Sequence, residues 1–355
     1  MPTNGTTKLV PTFEVLINGN TLPAQASADI THVAVHDDVE APGMFTLCLT
    51  NWDMVQLQVT WVDNALFNLG NTVEIQMGYV DSLETLLVGE ITGLEPQFLA
   101  GEPPTLLVRG YDRRHRLLRG DKTRSFLRMK DSDIAAQIAS AHGLIPRVED
   151  TGVILDYVLQ HNQTDWAFLL ARARRIGYEV MVVDKTLYFR PPQYAQGAVL
   201  TLARDTDILE FSPRLTTLNQ TSKTTVRSWS VQEKKPLLGQ GSIGDETTTM
   251  GGVLSGPATV NRAFGPTNTI SVDHPTFSQA ETDQIARGQF NDMALGYISA
   301  EGVSIGRTDL RAGIVIAMGD LGQRFSGRYY VVATAHTYRP NRGYRTAFTV
   351  RRNAA

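Results

Sequence analysis

The sequence predicts a mainly β protein with an α+β insertion: two β-barrels in one chain, with a small α/β module between them. The first observation behind this is a repeat. Leu69-Gly-Asn-Thr-Val-Glu-Ile-Gln-Met-Gly78 recurs as Leu310-Arg-Ala-Gly-Ile-Val-Ile-Ala-Met-Gly319, and Leu69, Val73, Ile75, Met77 and Gly78 each meet a like residue at one constant offset. A matching strand closes each copy, Leu106-Leu-Val-Arg109 and Phe348-Thr-Val-Arg351, with the offset moved by one. Apolar residues at every second position, a glycine turn, a hairpin and a closing strand, used twice, indicate a duplicated β-unit. The second observation is that β-branched and aromatic runs, punctuated by Pro, Gly, Asn and Asp, fill both ends of the chain. The third is a change to helical periodicity in the middle.

Residues 1–112 form the first expected barrel, with strands at 13–17, 30–35, 45–50, 72–79, 86–94 and 105–111. Residues 113–200 form the α/β module. There Asp131-Ser-Asp precedes the stripe Ile134, Ala135, Ile138 and Ala141, and Gly143 stops the helix. Thr164-Asp165 opens a second helix, whose Trp166, Leu169, Leu170, Ala173 and Ile176 share one face before Gly177 ends it; Arg172, Arg174 and Arg175 take other faces. Strands at 179–183 and 186–190 flank the turn Asp184-Lys185. Residues 201–355 form a second, discontinuous barrel. Strands at 207–211 and 223–231 come first, then a Gly-, Ser- and Thr-rich stretch, 239–256, expected to be a mobile surface loop. The capping box Ser278-Gln-Ala-Glu281 starts a helix over 278–296 with Ala286, Phe290, Met293, Ala294 and Tyr297 on one face. Strands at 298–305, 314–318, 329–337 and 344–351 close the chain.

With 355 residues, 42% of them hydrophobic and 19% charged, the chain can bury the cores of two or three domains. No stretch is apolar enough to cross a bilayer, so no membrane insertion is expected. The start, Met-Pro-Thr-Asn-Gly-Thr-Thr-Lys, lacks the apolar core of a secretory signal, and assembly in a cytoplasm is expected. A net charge of −3 argues against a surface built to hold nucleic-acid backbone, and no specific nucleic-acid binding is expected. Cys48, the single cysteine, has no internal disulfide partner and reads as a small apolar side chain.

Several strings look chemical and lack the context that chemistry needs. Gly239-Gln-Gly-Ser-Ile-Gly244 matches a dinucleotide loop, but no strand-to-helix turn surrounds it. Gly302-Val-Ser-Ile-Gly306 matches a nucleophile elbow, with Asp309, Asp320 and His336 following in hydrolase order. Ser304 nevertheless lies inside a β pattern. His32 and His36 share a strand face without a third ligand. Nothing nominates a glycosidase pair among the acidic residues. No catalytic residue, metal or cofactor is therefore expected. The residues expected to matter form surfaces: Thr72, Val73, Ile75 and Met77, with Ile314, Ile316 and Met318, on barrel edge strands, and the basic cluster Arg113, Arg114, Arg116 and Arg119 with His115 and Lys122.

Read in order, several segments carry a resemblance. They are Arg109-Gly-Tyr-Asp-Arg-Arg-His-Arg-Leu-Leu-Arg119, Ser132-Asp-Ile-Ala-Ala-Gln-Ile138, Gln163-Thr-Asp-Trp-Ala-Phe-Leu-Leu-Ala-Arg172, Ile176-Gly-Tyr-Glu-Val180, Leu187-Tyr-Phe-Arg-Pro-Pro192, Gly322-Gln-Arg-Phe-Ser-Gly-Arg-Tyr-Tyr-Val-Val332 and Gly343-Tyr-Arg-Thr-Ala-Phe-Thr-Val-Arg351. The chain resembles the phage late control protein D family, which includes contractile-tail baseplate hubs and the hub part of VgrG spike proteins. The resemblance implies two tube-protein-like barrels per chain, a homotrimer, and a baseplate hub assembled in a bacterial cytoplasm. A trimeric spike protein, a hexameric inner tube protein and other baseplate components are the implied partners. The sequence ends after the second barrel, at Arg351-Arg-Asn-Ala-Ala355, so the spike is expected to be a separate polypeptide. Two alternatives come from other classes: a baseplate-associated hydrolase of peptidoglycan or esters, and a receptor- or carbohydrate-binding β protein.

Overall fold

The computed structural model describes residues 10–231, 233–273 and 275–355; the N-terminal octapeptide considered above lies outside them. The chain is mainly β, 47% strand and 19% helix. A first unit contains β1 (Pro11–Ile17), β2 (Asn20–Thr21), α1 (Ala24–Asp29), β3 (Ile30–Asp38), β4 (Met44–Thr50), β5 (Thr72–Tyr79), β6 (Ser82–Gln97) and β7 (Thr105–Asp112). The middle holds β8 (Lys122–Met129), α2 (Asp131–Ala141), β9 (Ile145–Val148), β10 (Leu155–Gln163), α3 (Asp165–Arg175), β11 (Glu179–Val183) and β12 (Thr186–Arg190). β13 (Leu200–Ala203) and β14 (Ile208–Leu215) begin a second unit. It is interrupted by β15 (Lys223–Ser230), β16 (Lys235–Ser242), α4 (Gly256–Phe264), β17 (Asn268–Ser271) and α5 (Gln279–Leu295). β18 (Ile298–Ile305), β19 (Val315–Gly319), α6 (Gly322–Phe325), β20 (Gly327–Arg339) and β21 (Gly343–Arg352) complete it.

The duplication is visible in the strand order. The first unit runs β3-β4-β7-β6-β5-β1 and the second β14-β18-β21-β20-β19-β13. Numbered within each unit, with the two-residue β2 left out, both read second, third, sixth, fifth, fourth, first. All neighbours are antiparallel except the last pair of the second unit, where β13 runs parallel to β19. The long fifth strands, β6 and β20, each carry a bulge against the sixth strand, between Ile91 and Gly93 and between Val331 and Ala333. Past its bulge β20 pairs with β3, from Ala333 opposite Asp38 to Tyr338 opposite Val33, which joins the two units in one sheet. Aligned on these bulges, Val73 takes the place of Ile316 and Val108 that of Phe348. Each lies two residues from the literal sequence match. A two-residue shift keeps the buried face and changes the register.

Each unit packs on its own core. Val33, Val35, Phe45, Leu47, Val73, Ile75 and Met77 contribute to the first; Leu202, Ile298, Ile316, Met318, Tyr329, Phe348 and Val350 contribute to the second. A third core joins α2, α3, β11 and β12 to Val226 of β15 and to Ile285 and Ala286 of α5. Thr164 Oγ1 caps α3 by accepting from Ala167 N (3.2 Å), and Ser278 Oγ caps α5 by accepting from Glu281 N (3.2 Å). The Glu281 carboxylate accepts from Phe277 N (2.9 Å) and from Arg175 (2.7 Å), which ties α5 to the end of α3.

Two expectations need correction. The stretch 239–256 is not a single loop, because β16 runs to Ser242 and pairs with β15 along its length. Its glycines serve close approach: a Cβ on Gly239 would stand 2.1 Å from the Thr282 carbonyl oxygen, and one on Gly241 2.7 Å from that of Ala286. Likewise β5 and β19 are interior strands. β5 lies between β1 and β6, and β19 between β13 and β20.

Candidate interaction surfaces

The basic cluster sits on a 3-10 turn, Arg113–Leu118, directly after β7, and Asp112 caps that turn by accepting from Arg114 N (2.8 Å). Arg114 is 1% exposed. Its Nε donates to Asp112 Oδ2 (2.6 Å), its Nη1 to the Asp38 carbonyl (2.7 Å) and its Nη2 to Asp37 Oδ1 (3.3 Å). The guanidinium lies 5.8 Å from the Trp166 ring of α3. Burial pushes the Asp112 carboxyl up despite Arg114 beside it. Arg116 and His115 both reach Glu90, at 3.0 and 2.8 Å. Burial acts to raise Glu90, but these two partners hold it below the usual carboxylate range. Arg113 pairs with Asp184 of the β11–β12 turn. The cluster is thus a joint between the first unit and the middle module, and its exposed members are Arg119 and Arg116, the latter while paired with Glu90. Lys122 has turned to another centre, where it, Arg124, His142 and Gln160 converge on Asp165 at the start of α3.

Of the strand residues, Val73, Ile75, Met77, Ile316 and Met318 are buried in the chain's own cores, and only Thr72 and Ile314 keep partial exposure. The side chains that set the period-2 pattern are therefore spent on folding.

Ser304 is fully buried in β18, paired on both sides, and donates to the Thr346 carbonyl (3.3 Å). His336 bonds instead to Tyr344 Oη (2.8 Å) and Thr346 Oγ1 (3.2 Å), and Asp309 is held by Arg307 (2.7 Å). No strand-to-helix elbow and no assembled triad result. Among the described residues no three His, Cys, Asp or Glu side chains group as metal ligands. His32 and His36 both lie on β3, and burial lowers the pKa of each.

Three features had no sequence signal. A cavity of about 570 Å³ lies between α3, α5 and β20, lined by Glu40, Arg174, Glu179, Tyr194, Asp292 and Tyr330 among others. A groove crosses β3, β20, β21, β18 and β14, lined by His36, Glu210, Ser212, Glu301 and Thr349 together with small and apolar residues such as Val303, Ala335 and Phe348. Finally, among the described residues of the large sheet, β14 has no strand partner on its outer side, and β6 has none beyond Ile91 on the side where β5 has ended. Each was hidden because it depends on which strands end where, which local pattern does not encode. Among the described residues no helix is long and apolar enough to cross a membrane.

The family model described as the Alg8 N-terminal domain matches residues 7–339. No curated protein matches the chain. Among solved structures, the 43 kDa tail protein of prophage MuSo2 from Shewanella oneidensis superposes with a TM-score of 0.70 at 15% identity, over 96% of this chain and 98% of that one. The tail protein from Neisseria meningitidis MC58 gives 0.67 at 14% identity, over 97% and 96%. The E. coli c3393 protein gives 0.62 at 13% identity, over 96% of this chain and 77% of its own. It is described as a type VI secretion component with structural similarity to the T4 tail proteins gp27 and gp5. At these identities the likeness is one of fold, and the fold is that of phage tail proteins.

Proposed function

The chain belongs to the Alg8 N-terminal domain family, and on the strength of its phage-tail-protein fold we propose that it is the structural baseplate hub of a contractile phage tail or phage-tail-like injection system. It is of the late control protein D kind. Three copies form a ring in which each chain supplies two tube-like barrels, so that a trimeric spike meets one face and a hexameric inner tube the other. The domain division follows: 1–112 and 201–355 supply the barrels and 113–200 the module between them. The observation that carries the reading is the strand order repeated in both units and the side-to-side join of β20 to β3. Two like units in one chain allow three chains to present six like positions. The role requires no catalysis, and burial of Ser304 disfavours the ester-hydrolase alternative.

A ring of this kind needs obligate contacts, above about 2,000 Å² in total. Exposed Arg119 and the exposed parts of the 243–255 segment are the candidates for touching neighbours. Light scattering of the purified chain tests the stoichiometry. A mass of three chains is expected, and a closed dimer or tetramer contradicts the reading.

A further inference from the structure

We infer that the outer edge of β14 in one copy pairs antiparallel with the second half of β6 in the next copy, at the register that sets Arg214 opposite Glu95. The inference rests on the ring reading above and names the strands that meet. Its template lies inside the chain. The fifth strand of the second unit, β20, pairs past its bulge with β3, the second strand of the first unit. The counterparts are β6, the fifth strand of the first unit, and β14, the second strand of the second unit. Both have that side free. A chain with two like units makes this join once within itself and leaves one half of it at either end. Such a head-to-tail interface closes into a ring or runs on as a filament.

The ladders transfer the register. Through β4 and β18, the residues Val33, Val35 and Asp37 correspond to Phe211, Pro213 and Leu215. Through β7 and β21, Tyr338, His336 and Thr334 correspond to Phe98, Pro96 and Leu94. The internal pairs Val33–Tyr338, Val35–His336 and Asp37–Thr334 then become Phe211–Phe98, Pro213–Pro96 and Leu215–Leu94 between copies. Ser212–Gln97 and Arg214–Glu95 fall between them. Apolar residues meet apolar residues on one face, and on the other a cation stands opposite an anion. A slip of one residue sets Arg214 against Leu94 or Pro96 and mixes the faces. In the isolated chain Glu95 is half exposed and pairs with Arg109 of the adjacent β7 at 3.0 Å. Phe98 is 62% exposed.

The two prolines fit the same geometry. Proline has no N–H, so Pro213 and Pro96 sit in their existing ladders with the nitrogen side outward. Each blunts its free edge toward casual strand partners. In the transferred register the two missing donors face each other, and the flanking phenylalanine and leucine pairs exchange the hydrogen bonds.

The test is a disulfide between copies. Arg214 and Glu95 would form a pair without hydrogen bonds between them, with Cβ atoms about 4.5–5.5 Å apart, close to disulfide reach. In the full chain carrying Arg214→Cys and Glu95→Cys, mild oxidation is expected to give a covalent series ending in a closed three-chain species on a non-reducing gel. Either single variant, which still carries Cys48, is expected to give none. Light scattering runs beside the gel. A three-chain mass without the cross-link overturns the edge pairing and leaves the ring reading standing. Cross-linking by Arg214→Cys with Gln97→Cys in place of the expected pair overturns the register and leaves the contact of the two edges and the ring reading standing. A monomer without cross-link at any concentration overturns the edge pairing and the self-closing ring together.

Discussion

At the residue scale, the charges that look most available in the sequence are committed inside the fold. Arg114 neutralises Asp112 and Asp37 while roofing Trp166, so Arg114→Met strands two carboxylates beside a buried joint. Breaking such a buried pair costs about 3–5 kcal/mol, to be read in urea unfolding. Arg119→Ala is expected to change folding stability by less than about 0.5 kcal/mol. The Arg-Arg-His-Arg run was legible as a cluster, but its partners were not: Asp37, Glu90 and Asp184 come from stretches that only the fold brings near. His336 makes a second case. Burial, with the Arg311 charge nearby, lowers its pKa to about 3, whereas an unfolded histidine titrates near about 6.5. Between those values the unfolded chain binds a proton that the folded chain refuses, so stability present above pH about 6.5 is lost progressively as pH falls toward about 3. His336→Gln is expected to flatten that acid-side slope by up to about 1.4 kcal/mol per pH unit, measured by urea unfolding at about pH 4, 5 and 6.

At the element scale, the strands that alternate apolar and polar residues were readable, as were the helices that begin at Thr164 and Ser278. What was unreadable had its side chains removed for packing. β16 looks like a loop because Gly239 and Gly241 lie against the backbone of α5. α4 begins Ser255-Gly-Pro, which reads as a turn, although Ser255 Oγ accepts from Ala258 N (3.3 Å) as an N-cap. At the end of α3, Gly177 (φ +70°) faces Gly288 of α5, where an added Cβ would come within 2.6 Å of the Ile176 carbonyl carbon. Gly239→Ala and Gly288→Ala are each expected to cost about 1–3 kcal/mol through forced separation of these elements, visible as a lowered melting temperature. The edge strands were misplaced for a related reason. β13, four residues long, escaped notice, and it covers the side of β19 that the repeat alone left open.

At the scale of the whole molecule, the literal repeat was a correct sign of the doubled strand order and an inaccurate guide to its register. A period of two preserves the buried face through a shift of two residues, so similarity of pattern survives where positional identity does not. The repeated order, the β20–β3 join and the open sides of β14 and β6 are the features on which the proposed ring rests. The measurement that tests this most directly is an image of the assembled particle at a resolution that traces strands. The chain is expected at the junction of spike and inner tube, in three copies around the axis. A position away from that junction, or six copies around it, contradicts the proposed hub.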